Sequence, residues 1–223
     1  MSEERTNERY SRQRDIVPAE RIAECKASII GVGAIGRQVA LQLTAMGIPW
    51  LQLVDCDIVE ESNLASQGYL ERDLDEPKVE ATADLCRQIN RHVEVHTVPD
   101  RFRRSIEMGN IVFCSVDRID VRRLIWESVK DTVNYYCDGR MSAEVLRVLT
   151  ACDFGSRKHY PTTLFSADEA FVGPCTAKTT IYCANTAAGL MLSQFTKYLR
   201  GMPIEPDIQM NLLASELTVA PGC

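Results

Sequence analysis

The stretch Ala27-Ser28-Ile29-Ile30-Gly31-Val32-Gly33-Ala34-Ile35-Gly36 decides how this chain reads. A short apolar strand runs straight into a Gly-x-Gly-x-x-Gly turn. Beyond the turn, Val39, Ala40 and Leu43 recur at helical spacing until Gly47. Strand, glycine turn and helix in that order form the dinucleotide-type phosphate fingerprint. Gly31 permits the tight turn, Gly33 lets backbone approach a phosphate, and Gly36 lets helix and strand pack closely. The helix start presents unpaired N–H groups and the positive end of its dipole to an anion. Trp50-Leu51-Gln52-Leu53-Val54 is a second strand, and Asp55 at its carboxyl end suits ribose hydroxyls. The alternative is a tight structural turn that binds nothing.

Outward from there the alternation continues. Lys78 to Asn90 reads as an amphipathic helix, Val93 to Val98 as a strand and Ile111 to Ser115 as another. Ile119 to Val129 reads as a helix and Val133 to Cys137 as a strand. This predicts an α/β fold: a Rossmann-like, mostly parallel sheet with helices on both faces. Glu144 to Cys152 then reads as a strand, with Thr162 to Ser166 expected to pair back as a hairpin. A long helix is expected from about Ala177 to Leu199, and a final strand within Ile208 to Val219. The C-terminal part is thus an antiparallel extension.

The composition is that of an ordinary folded protein: 223 residues, 45% hydrophobic and 25% charged. It excludes a disordered tail, a fibre and a disulfide miniprotein. The net charge of −6 argues against a general nucleic-acid binder. Nine cysteines are scattered with no C-x-x-C pair, so no zinc is expected, and reduced buried thiols are. Met1 to Arg14 is polar and has no signal-peptide pattern. Ile181 to Phe195 carries Asn185, Thr186, Ser193 and Gln194, too polar for a membrane span. A cytoplasmic protein with no membrane partner is expected.

Four further segments add chemistry to the glycine turn. Arg9-Tyr10-Ser11-Arg12-Gln13 precedes the first strand, and Asp55-Cys56-Asp57-Ile58-Val59 follows the second. Asn63-Leu64-Ala65-Ser66-Gln67 comes next, and Pro77-Lys78-Val79-Glu80 opens the following helix. With these segments the sequence resembles the ThiF/MoeB/HesA family, bacterial relatives of ubiquitin-activating enzymes, over roughly residues 9 to 201. The resemblance implies ATP-dependent adenylation of the C-terminal glycine carboxylate of a small ubiquitin-like or sulfur-carrier protein. It implies phosphate contacts from Lys78 and Asn63 and ribose contact from Asp55, with Asp57 and Gln67 close by. It also implies magnesium support from Asp117, and Arg12 reaching the ATP of a partner subunit, hence a homodimer. Cys175, at an expected helix start where a thiolate is favoured, is the candidate for a later thioester. The chain is then one adenylation domain over residues 1–223: an arm (1–18), a nucleotide-binding half (19–138) and a carrier-binding half (139–223).

Plain alternatives stand beside these roles. Arg12 and Lys78 have the alternative of solvated charges, Asn63 and Asp117 of helix caps, and Cys175 of an incidental thiol. Asp138-Gly139-Arg140-Met141 and Glu144 read as the lining of a carrier channel or as a polar turn. The sequence also departs from the family pattern. Ser66 stands where an arginine usually precedes the glutamine, with Arg101, Arg103 or Arg104 as candidate substitutes. Two rival functions remain open: a non-catalytic nucleotide-binding partner and an NAD(P)- or flavin-dependent oxidoreductase.

Overall fold

The computed structural model describes residues 8–165 and 179–220. Its centre is one eight-stranded sheet in the order β3-β2-β1-β4-β5-β6-β7-β8. The strands are β1 (Lys26–Ile30), β2 (Trp50–Val54), β3 (Glu94–Val98), β4 (Ile111–Cys114), β5 (Tyr135–Ser142), β6 (Val145–Ala151), β7 (Asp207–Asn211) and β8 (Glu216–Val219). The first five pair in parallel, and β5 to β8 pair antiparallel. This is the predicted Rossmann-like sheet with its antiparallel extension.

The helices are α1 (Ala19–Ala23), α2 (Ala34–Met46), α3 (Glu61–Gln67), α4 (Lys78–Ile89), α5 (Ile119–Val129), α6 (Phe154–His159) and α7 (Ile181–Leu199). Parallel strands carry apolar residues on both faces because helices cover both. On one face Ile29, Phe113 and Tyr135 join Val39, Leu43, Met191 and Phe195 of α2 and α7. On the other, Ile30, Val112, Cys114 and Tyr136 meet Ile125 and Trp126 of α5 together with Tyr160. Ala184, Ala187, Ala188, Met191 and Phe195 form the buried stripe of α7, at helical spacing.

Three expectations are corrected. Residues 160–163 form a 3₁₀ turn, Tyr160–Thr163, directly after α6, which opens on a capping box of Asp153 and Ser156; no strand lies in 162–165 among the described residues, and Ser166 lies outside them. Ile208 to Val219 is a hairpin of two strands, broken around Ser215, whose φ is +56°. β5 runs on to Ser142, so Asp138 to Met141 lie within a strand and not in a turn beyond one. Pairing with β6 from Tyr136 to Ser142 is what extends it. The long helix starts at Ile181; Ala177 lies outside the described residues. Among the described residues, no helix is long and apolar enough to cross a membrane.

Candidate active site

The strand order reverses between β1 and β4, and ligands of open α/β sheets bind in the crevice beyond such a point. The glycine turn lies there. Gly31 has φ +86°, and a side chain on it would collide with the Ser115 backbone just past β4. A Cβ on Gly36 would overlap the Gly31 carbonyl oxygen. These two glycines are therefore demanded by the protein's own packing. Gly33 is not: a Cβ there would find only Gln67 Oε1, at an ordinary 3.6 Å. Gly33 is the N-cap of α2 and no side chain caps that helix, so the first N–H groups remain for an anion.

Asp55 is tied into this loop. One carboxylate oxygen accepts from Val32 N–H at 2.6 Å and the other from Asp57 N–H at 2.9 Å. Burial pushes its pKa up against those two hydrogen bonds. Lys78 Nζ donates to Asp57 Oδ2 at 3.0 Å, and Lys78 N–H donates to the Asp57 carbonyl. The Lys78 side chain is 8% exposed and that of Asp57 61%, so a buried cation faces an open carboxylate. Gln67 Oε1 and Ser115 Oγ, both beside the glycine loop, are buried without a hydrogen-bond partner. Such orphans are rare in a protein at rest and fit a site that a polar ligand completes. Among the described residues one trio of metal-capable side chains converges, Asp55, Cys56 and Asp57, with ligand atoms within 4.8 Å of one another.

Gly31, Gly33, Gly36, Asp55, Asp57, Gln67 and Lys78 thus gather around one mouth. Asn63 stands at its edge with a structural bond: its Oδ1 accepts from Glu60 N–H, closing the capping box of α3. Ser66 turns its hydroxyl back to the Ser62 carbonyl of its own helix. Asp117 is exposed in the loop after β4 and does not cap α5, whose N-cap is Arg118. Arg103 of the loop after β3 pairs with Asp100 at 2.8 Å. Cys175 lies outside the described residues.

Arg12 is placed elsewhere. The Tyr10 ring packs on Gly47, and Gln13 Nε2 donates to the Met46 carbonyl at 2.7 Å. Both contacts lie at the C-terminal end of α2, whose 13 residues separate the arm from the glycine loop by about 20 Å. Arg12 is exposed beside them.

A family model described as the ThiF family matches residues 10–216. The chain belongs to the ThiF family. It is 30% identical over 125 residues to the molybdopterin-synthase adenylyltransferase of Haemophilus influenzae, a match covering 51% of each chain. It is 35% identical over 129 residues to the SAMP-activating enzyme E1 of Haloferax volcanii, covering 53% of this chain and 48% of that one. The chain therefore spans about half the length of these ThiF-type relatives. A crystal structure of PaaA superposes with a TM-score of 0.80 at 21% identity, covering 99% of this chain and 74% of that one. E. coli MccB with ATP does so with a TM-score of 0.76 at 19% identity, covering 96% and 71%. At those identities the likeness establishes the fold.

The surroundings of several groups escaped the sequence reading. Arg37, one turn into α2, is fully buried and donates to the Gly68 carbonyl and to Thr82. Tyr69 donates to the carbonyl of Val32 inside the ThiF glycine loop. Cys56 is an exposed thiol between the two site aspartates, whereas burial pushes Cys25 up to about 11 and Cys137 up to about 12. Asp138 is fully buried and paired with Arg122 and Arg140, so its carboxylate is not free to line a channel. Polar residues next to Gly68, or within an apolar strand, carry no local signal for these partners. An arginine at the fourth position of the glycine helix was the one visible anomaly.

Proposed function

We propose that the chain is an ATP-dependent adenylyltransferase acting on the C-terminal glycine carboxylate of a small ubiquitin-like or sulfur-carrier protein. The observation that carries this reading is the uncapped glycine loop with a buried lysine at its mouth, in a ThiF-family chain whose relatives are named adenylyltransferases. A relative from Bacillus subtilis, 31% identical over 130 residues, is named for acting on the sulfur carrier ThiS.

The chemistry suits these groups. A carboxylate oxygen attacks the α-phosphorus, the bond from that phosphorus to the bridging oxygen breaks, and pyrophosphate leaves. Two anions must meet, so fixed positive groups lower the barrier. The α2 N–H groups and Lys78 are the chain's own cations and dipoles at the mouth. Asp55 and Asp57 hold the ribose side, and Asn63 and Gln67 flank the triphosphate. Asp117 offers an exposed carboxylate of the hard oxygen type that Mg²⁺ prefers, and the ion would neutralise phosphate charge there. Arg12 acts on the second copy of a homodimer, since its own loop is a helix length away. If a thioester follows, the Cys175 thiolate attacks the acyl carbon of the adenylate and AMP leaves.

ATP–pyrophosphate exchange that depends on a carrier ending in glycine is the expected result. Tight NAD(P) binding with no exchange under any carrier sinks the proposal. A second reading, a non-catalytic nucleotide-binding partner, draws on Ser66 standing where the family pattern carries arginine. ATP binding without exchange favours it.

A further inference from the structure

We propose that Tyr69 is a positioning residue for phosphate binding: its phenol pulls the Val32 carbonyl inward and so aims the Gly33 N–H at the mouth of the site. The inference rests on the nucleotide reading above and assigns a role to side chains that reading does not use.

Tyr69 is 4% exposed, and its hydroxyl donates to Val32 O at 2.6 Å. That single proton is then committed. Thr82 Oγ1, 3.3 Å from the phenol oxygen, must therefore be the donor between the two. Thr82 in turn accepts from Arg37 NH1 at 3.1 Å. The result is a one-directional relay, Arg37 to Thr82 to Tyr69 to Val32, in which each bond polarises the next. Arg37 is held in place by Gly68 O, accepting from its Nε and NH2 at 3.2 and 3.0 Å, and by stacking 4.1 Å above the Tyr69 ring. Lys78 O, at 3.4 Å, is a more distant acceptor for the same phenol.

The geometry of a trans peptide turns this into a statement about the ligand. C=O and N–H of one peptide plane point in opposite directions. With Val32 C=O drawn into the core, Gly33 N–H is turned outward, where it meets no partner among the described residues. Val32 N–H is fixed as well, by Asp55. Both polar groups of Val32 are thus pinned from opposite sides, one by an acid and one by a phenol. A donor held ready before the anion arrives needs no reorganisation on binding.

The test uses the whole chain labelled with ¹⁵N-glycine, which carries only twelve glycines. In the wild type, ATP should shift the Gly33 amide and adenosine should leave it unmoved. Tyr69→Phe should bind ATP about tenfold more weakly and adenosine equally well. Thr82→Val, which breaks the relay one step back, should lose about threefold for ATP, and it carries the test if Tyr69→Phe does not fold. Tyr69→Phe binding ATP as tightly as wild type, or losing ATP and adenosine in the same ratio, overturns the proposal. In Thr82→Val, unchanged ATP affinity overturns it too. Wild-type protein that binds no ATP overturns the nucleotide reading itself, and this one with it.

Discussion

Lys78 Nζ and Asp57 Oδ2 stand 3.0 Å apart, the lysine sealed beneath the loop and the aspartate open to solvent. The pair holds a cation ready at the mouth of the glycine turn. Asp57 is hydrated on its own, and the more buried Asp55 keeps its hydrogen bonds from Val32 and Asp57 N–H when the lysine is removed. Lys78→Met should keep the apolar stem and change stability by less than about 1 kcal/mol. It should lower carrier-dependent ATP–pyrophosphate exchange by about 100-fold or more. Full exchange in the variant would remove Lys78 from the reaction.

The docked arm makes a prediction about subunits. Arg12 sits at the far end of α2 from its own glycine loop. Arg12→Ala and Lys78→Ala should each be inactive alone. Mixed in equal amounts after subunit exchange, they should regain on the order of a quarter of wild-type exchange, because half of the dimers then hold one intact site. No recovery, in a mixture shown to have exchanged subunits, contradicts a role in trans.

The glycines should separate by function. Gly36→Ala forces a methyl into the Gly31 carbonyl and should cost roughly 2 kcal/mol or more in chemical denaturation. Gly33→Ala meets only ordinary contacts and should cost less than about 1 kcal/mol. Its methyl stands where phosphate would approach, so ATP binding should fall while the melting temperature barely moves. Equal loss of stability in both variants would show Gly33 to be a packing residue.

Asp138 is the keystone of a buried network. Arg140 Nε and NH2 donate to Oδ2 at 3.0 and 2.9 Å, Tyr160 OH donates to it at 2.8 Å, and Arg122 pairs with Oδ1. One buried cation, Arg122, and one partly buried cation, Arg140, thus share one carboxylate. Asp138→Ala should destabilise by about 3–5 kcal/mol, because both arginines lose their counter-charge. Urea denaturation measures this, and a loss under about 1 kcal/mol would refute it.

A pH effect follows from Asp207. Burial alone would raise its pKa, but hydrogen bonds from Arg147 and His159 outweigh it and hold the carboxyl below its ordinary 3.8. Arg147 donates to both oxygens, at 2.9 and 2.6 Å. A carboxyl with a depressed folded pKa adds stability that is complete above the unfolded value and is lost as pH falls through the folded one. Asp207→Asn should therefore be less stable than wild type near about pH 6, with the gap closing below about pH 4. A gap independent of pH would mean that packing, not charge, accounts for the difference.

What the sequence determined by itself was local. Strand, glycine turn and helix lie within Ala27 to Met46, where alternation, turn chemistry and helical period act between near neighbours. The same holds for β2 with Asp55 and for α4 opening at Lys78, and the contiguous segments Arg9 to Gln13 and Asn63 to Gln67 carried the family resemblance. The tertiary structure decided what those pieces do to one another. It placed the arm at the wrong end of α2 to serve its own loop, and it spent Asn63 Oδ1 on a helix cap. It also turned Asp138 from an apparent loop residue into a buried counter-ion, and made Ile208 to Val219 a hairpin at the sheet edge. Above all it brought Tyr69 beneath Val32, 37 residues away in sequence. No periodicity encodes such a bond. It forms because packing α2 against α3 and α4 buries a carbonyl, a phenol and a guanidinium together, and buried polar groups must find partners.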